Sequence, residues 1–136
     1  MGKERRRVDR QSWLKLESKV FIKRSLFKKE WVSVVPFDFS RYGMGIQTDE
    51  QYQLSDDVSL SIKLLMENEE IVVDLIHGVV RYKEKHHSRF NYGVEFCFDT
   101  NNEKQTLDVN LCSIEESLRE FEESHATKAT DLTSGA

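Results

Sequence analysis

The sequence predicts a mainly β protein: a six-stranded antiparallel β-barrel with a C-terminal α-helix and a flexible N-terminal arm. Three observations predict it. Runs between positions 14 and 98 alternate apolar with polar residues at the period of half-buried strands. The connections between them are short and polar, which favours antiparallel pairing of successive strands. Beyond position 100 the apolar spacing changes to steps of three and four, the repeat of a helix.

The first run places Leu14, Leu16, Val20 and Ile22 on one parity and Lys15, Glu17 and Lys19 on the other. "EWVSVVPF" is a second run, rich in β-branched and aromatic residues, with Pro36 expected at its end or on an edge. "MGIQT" is a short third. In "VSLSIKLL", Val58, Leu60, Ile62 and Leu64 point inward and Ser59, Ser61 and Lys63 outward. "EEIVVDLIHGVVRY" is long and apolar, with a bulge or bend expected at Gly78. "FNYGVEFCF" closes the set with Phe90, Tyr92, Val94, Phe96 and Phe98 on one parity. Six such strands can curl into a barrel that leaves no long open edge.

Leu107, Leu111, Ile114, Leu118 and Phe121 then form one apolar stripe. A single helix is expected from about Asn102 to Glu123, capped by Asn101 or Asn102, its stripe packed on the barrel. A capping-box pattern at Ser113 and Glu116 would allow a break there, and the spacing also suits a helix–helix seam. The expected organisation is a flexible arginine-rich arm over 1–11, the barrel over 12–99, the helix over 100–124 and a disordered tail over 125–136.

At 136 residues and a formal net charge of −4, the chain is large enough for one hydrophobic core without staples. No apolar run reaches the roughly 20 residues of a membrane span, and no apolar segment follows the basic start as a secretion signal requires. Cys97 and Cys112 have no metal or disulfide spacing and are expected as reduced thiols in a cytoplasmic protein. The charge is unevenly placed. Residues 1–10 hold five basic side chains against two acidic, whereas 113–136 hold six acidic against two basic. A small basic arm on an acidic chain suits a compact anionic ligand, not the broad basic face that DNA or RNA needs.

The arm reads "ERRRVDR" and a second stretch reads "DFSRYGMGI". If the second is extended at its start, Asp38 and Ser40 share a face. Gly43 and Gly45 then permit positive φ or a close approach to bare backbone. A carboxylate accepts from the N1–H and N2–H2 donors of guanine, while an arginine grips its N7/O6 pair bidentately. Remaining arginines and the hydroxyl suit phosphodiester oxygens. The ligand these groups jointly complement is guanine-bearing and anionic.

On these residues the chain resembles the PilZ domain family, the bacterial receptor module for cyclic di-GMP. Arg6-Arg7-Val8-Asp9-Arg10 matches its RxxxR motif, with Arg5 in front, and Asp38-Phe39-Ser40-Arg41-Tyr42-Gly43 matches (D/N)xSxxG in full. "GVVRY" at 78–82 and "YGVEF" at 92–96 resemble its later strands, so the resemblance covers about residues 4–98. It implies a receptor or adaptor whose arm reorders on binding cyclic di-GMP and signals through an unidentified protein effector. It implies no enzyme activity and no cofactor beyond the ligand. Carried over by position, Arg6 and Arg10 hold guanine edges and phosphates, Asp38 accepts from a guanine, Ser40 bonds ligand polar atoms and Gly43 lets the ligand meet the backbone. Arg5 stands where the family's choice between one ligand and a stacked pair is associated, and an arginine there is compatible with a pair. Arg7 and Arg41 could add phosphate contacts or be solvated. A stand-alone adaptor, monomeric or weakly dimeric, without membrane insertion and with a role in motility or biofilm regulation is expected.

Other readings are less well supported. His86 and His87 fall in a charged hairpin connection, His77 in an apolar strand, and Cys97 among barrel-filling aromatics, none an arrangement for catalysis. A single-strand nucleic-acid binder would show exposed aromatics interleaved with basic residues, whereas the aromatics are expected to share parity with the core. A PilZ-like scaffold without nucleotide would characteristically lack the motif residues that are intact here.

Overall fold

In a computed structural model of the chain we describe residues 13–23 and 26–135, with side chains to residue 124. The strands are β1 (Leu14–Lys23), β2 (Lys29–Ser40), β3 (Gly43–Thr48), β4 (Asp57–Met66), β5 (Glu70–His86) and β6 (Arg89–Cys97), followed by helix α1 (Asn101–Gly135). They close into a barrel in the order β1-β2-β3-β6-β5-β4, every neighbouring pair antiparallel. The alternation read from the sequence becomes the barrel interior. Val20, Ile46, Leu60, Ile62, Leu64, Ile76, Val80 and Tyr92 are almost fully buried, with Leu14, Leu16, Ile22 and Phe90 packed around them. Ser18, a buried polar exception, donates to the Ser61 carbonyl at 2.9 Å, so it carries no unmet hydrogen bond.

Three bulges interrupt the alternation, and none lies at Gly78. That glycine pairs regularly with Val58 on one side and Phe96 on the other. What it serves is packing: a Cβ there would lie 2.4 Å from Val94 Cγ1. The bulges on β5 fall at Asp74–Leu75, opposite Ser61, and at Arg81. The third is Phe37 on β2, left over between the pairs Pro36↔Ile46 and Asp38↔Gly45. Pro36 therefore does not end the strand. It sits beside a bulge, where a residue without an N–H is tolerated.

Helix α1 runs unbroken through Ser113, and its stripe packs on the barrel: Leu111 and Ile114 are fully buried, Leu107 and Leu118 partly so. The cap is Thr100, one residue earlier than expected. Its hydroxyl accepts from the Glu103 N–H at 3.0 Å, and the Glu103 carboxylate accepts from the Asp99 N–H at 2.7 Å. "TNNE" has the Thr-x-x-Glu spacing of a capping box, which outranks either asparagine. The helical backbone continues past the Glu123 limit set by the apolar stripe to Gly135. Between Glu123 and Gly135 the sequence holds neither proline nor glycine, so no backbone breaker stops the helix where the apolar stripe ends. Among the described residues no helix is long and apolar enough to cross a membrane.

Candidate functional site

The bulge at Phe37 decides where the second motif points. Along β2 the inward positions are Val32, Val34 and Pro36, so unbroken alternation would aim Asp38 and Ser40 into the core. One extra residue reverses the parity of everything after it. Phe37 and Asp38 are both exposed, Phe39 turns inward to meet Phe96 at 6.0 Å between ring centroids, and Ser40 faces out. The sequence placed Asp38 and Ser40 on one face; the bulge makes that face the outer wall.

A cavity of about 610 Å³ opens on this wall across β2, β3, β6 and β5. Asp38, Ser40 and Gly43 line it together with Phe37, Tyr82 and Arg81. Its floor includes two glycines. Gly45 and Gly93 are cross-strand partners between β3 and β6, and each lies beneath an aromatic residue. A Cβ on Gly45 would come within 2.6 Å of the Phe37 ring, and one on Gly93 within 3.0 Å of Tyr82 Cβ. Phe37 and Tyr82 thus stand on either side of a glycine trough, 55% and 51% exposed, which leaves ring area free for a flat ligand. Tyr82 reaches the outer face by the same device as Asp38, the Arg81 bulge having shifted its parity.

Gly43 pairs with Glu95, and a Cβ on it would lie 2.3 Å from the Val94 carbonyl oxygen. Its φ is not positive, so of the two expected reasons for a glycine here only close approach applies, and the β6 backbone is what approaches. Ser40 Oγ accepts from the Tyr42 N–H at 3.1 Å and folds the β2–β3 turn. The Tyr42 carbonyl in turn accepts from the Phe96 N–H at 2.9 Å. The hydroxyl proton of Ser40 remains available to an outside acceptor.

The charges on this wall are few. Arg81 Nε donates to Glu95 Oε1 at 2.8 Å. Arg41, inside the motif, turns away to α1: its N–H donates to Glu115 Oε2 at 3.1 Å, its Nε pairs with Glu115 Oε1 at 3.4 Å, and its Nη1 lies 3.4 Å from Cys112 Sγ. Asp38 makes no hydrogen bond or ion pair among the described residues. The wall therefore offers an acceptor carboxylate, a hydroxyl, the rings of Phe37, Tyr42 and Tyr82, and one already paired guanidinium. A doubly anionic ligand needs cations from elsewhere.

A second cavity, of about 430 Å³, lies on the helix side and shares Phe37 and Asp38 with the first. Leu16 of β1 lines it, as do Glu115 and Arg119 of α1. The β1–β2 ladder sets Ser18 opposite Val34, so the start of β1 lies at the Asp38 end of β2. Arg5, Arg6, Arg7 and Arg10 lie outside the described residues.

Motif reading gave no site role to Phe37, nor to Arg81, Tyr82 and Gly93 within "GVVRY" and "YGVEF", because the outward turn of Phe37-Asp38 and of Tyr82 depends on bulges that alternation does not locate. The expectation that aromatics share the core parity is corrected for Phe21, Trp31, Phe37 and Tyr82, all of which face outward. His77 is a satisfied strand residue, Nδ1 3.2 Å from Ser59 Oγ. His86 and His87 meet edge to face at a hairpin turn, ring centroids 4.6 Å apart, where His87 takes a φ of 58°.

The comparison that bears on this wall is with protein families: the model for the PilZ domain matches residues 4–112. The chain belongs to the PilZ domain family. PilZ domains are cyclic di-GMP receptors and adaptors. The match takes in both motifs, all six strands and the first turns of α1. A comparison with curated proteins finds no match.

Proposed function

We propose that this PilZ domain is a cyclic di-GMP receptor and adaptor, in which the guanine and phosphate groups rest on the outer wall of β2, β3, β6 and β5 and the arginine arm closes over them. The observation that carries the reading is the Phe37 bulge, which sets Asp38 and Ser40 on the rim of a glycine trough. Asp38 accepts from a guanine edge, the Ser40 proton goes to a ligand oxygen, and Phe37 or Tyr82 gives a base a ring to lie against. The trough is of the size small-ligand sites have, roughly 300–1,000 Å³.

The missing positive charge comes from the arm. Arg10 precedes Leu14 by four residues, and an extended chain covers about 3.3–3.6 Å per residue. Roughly 14 Å is enough to bring Arg10 from the head of β1 over Asp38. Arg6 and Arg10 grip guanine N7/O6 pairs and phosphates, and Arg5 adds counter-charge for a second, stacked ligand. Fixing each arm residue costs about 1–2 kcal/mol of backbone entropy, while a bidentate guanine contact returns about 1–3 kcal/mol. Several contacts must therefore form together, and closure is cooperative. The output is a changed surface: the closed arm and the α1 side of Asp38 form a face for a protein effector.

Calorimetric titration with cyclic di-GMP tests this. Wild-type protein is expected to bind with a stoichiometry near two if the ligands stack, and Arg10→Ala and Asp38→Ala are each expected to lose at least about tenfold in affinity. Near wild-type binding by both variants would remove the proposal.

A further inference from the structure

The far end of β2 carries a second surface. The β1–β2 hairpin stays paired to Lys23↔Lys29 at its tip, and beyond that pair stand Leu26, 76% exposed, and Phe27, 97% exposed. Just below them Phe21 and Trp31 form an outward cross-strand pair with ring centroids 5.2 Å apart. The connection expected to be simply polar thus ends in the most exposed large apolar side chain described. Lysines frame it. Between positions 19 and 31 the sequence holds Lys19, Lys23, Arg24, Lys28 and Lys29 against Glu30 alone, in a chain of net charge −4.

We infer that this hairpin tip is an interfacial anchor that docks the protein on an anionic lipid surface. None of the described cavities includes Leu26 or Phe27. A folded protein partner would have to supply a matching apolar pocket, whereas a headgroup layer accepts a protruding phenyl ring without one. Trp, Phe and lysine together are the side chains that settle at that layer, rings at the headgroup level and ammonium groups toward lipid phosphates. Outside this hairpin and the arginine arm the chain is net acidic, and that part is repelled by the same surface, which favours a hairpin-first approach of the barrel. Lys29 and Ser40 terminate one strand, at most about 36 Å apart at ~3.3 Å per residue. The docked hairpin leaves the glycine trough open to solution.

Cosedimentation of the full chain with vesicles is the test, using phosphatidylcholine alone and phosphatidylcholine with about one quarter phosphatidylglycerol. The protein is expected to partition at least about tenfold more strongly into the anionic vesicles and to be released by high salt. Leu26→Glu with Phe27→Glu, at positions already in solvent, is expected to lose that binding while keeping the wild-type circular dichroism spectrum. Supernatant protein with both vesicle types, equal binding to neutral vesicles, or a double variant that sediments like wild type would overturn the inference. Retention on immobilised polyglutamate without vesicle binding would overturn it in favour of an acidic protein partner.

Discussion

Phe37 has two jobs that pull on the same site: its backbone is the extra residue that turns Asp38 outward, and its ring covers Gly45 and walls the trough. Phe37→Ala keeps the first and removes the second. Base–aromatic stacking contributes about 1–3 kcal/mol per base, so this variant is expected to bind cyclic di-GMP about tenfold more weakly with little change in melting temperature. Gly43→Ala has the opposite signature. Its Cβ would strike the β6 backbone, and overpacking of that kind costs typically 1–3 kcal/mol, so stability should fall in a denaturant titration even without ligand. Tyr92 supplies a pH test. Its buried hydroxyl donates to the Glu50 carbonyl at 2.7 Å and accepts from the Tyr52 N–H at 2.9 Å. Burial is the main cause that raises its pKa above the usual phenol value, with Asp56 and Glu50 adding to it and the Tyr52 hydrogen bond opposing. Below about pH 10 both folded and unfolded chains hold the proton and nothing is gained or lost. Above it the unfolded chain ionises first, so stability should fall as pH rises further, and Tyr92→Phe should flatten that limb.

Among the elements, α1 raises the question of what holds it to the barrel. Arg41 ties the β2–β3 turn to Glu115 and Cys112, but exposed ion pairs contribute only about 0–1 kcal/mol. Leu111 and Ile114 are fully buried, and truncating such a side chain costs about 2–5 kcal/mol. Burial therefore dominates: Leu111→Ala is expected to lower the denaturation midpoint clearly and Arg41→Ala hardly at all, as a chemical-denaturation series would show. The strands and the helix stripe were legible in the sequence because periods of 2.0 and 3.6 survive in the order of residues. The bulges were not. Pro36-Phe37-Asp38 and Val80-Arg81-Tyr82 look alike whether the strand continues or carries one residue too many, and only the partner strand's register decides. Asp38, Ser40 and Gly43 could be found because they share a motif. Phe37, Tyr82 and Gly93 come from three strands and meet only after the barrel closes.

At the scale of the whole molecule, the functional claim is a division of labour by charge. The barrel wall brings hydrogen-bond acceptors, rings and bare backbone but almost no unpaired cation, and the arm brings arginines. Neither half complements a cyclic dinucleotide alone. Joining them should make binding salt-dependent, since the arginine–phosphate contacts are screened while the guanine–Asp38 contact in the trough is less so.

The most direct measurement follows backbone amide shifts of the isotope-labelled chain during a cyclic di-GMP titration. The account predicts that perturbed amides fall at residues 37–45, 81–82 and 93–95, accompanied by those of residues 5–10, while the β1–β2 tip stays unmoved. Perturbation that clusters elsewhere on the barrel, or a trough that changes while the arginine segment does not, would contradict it.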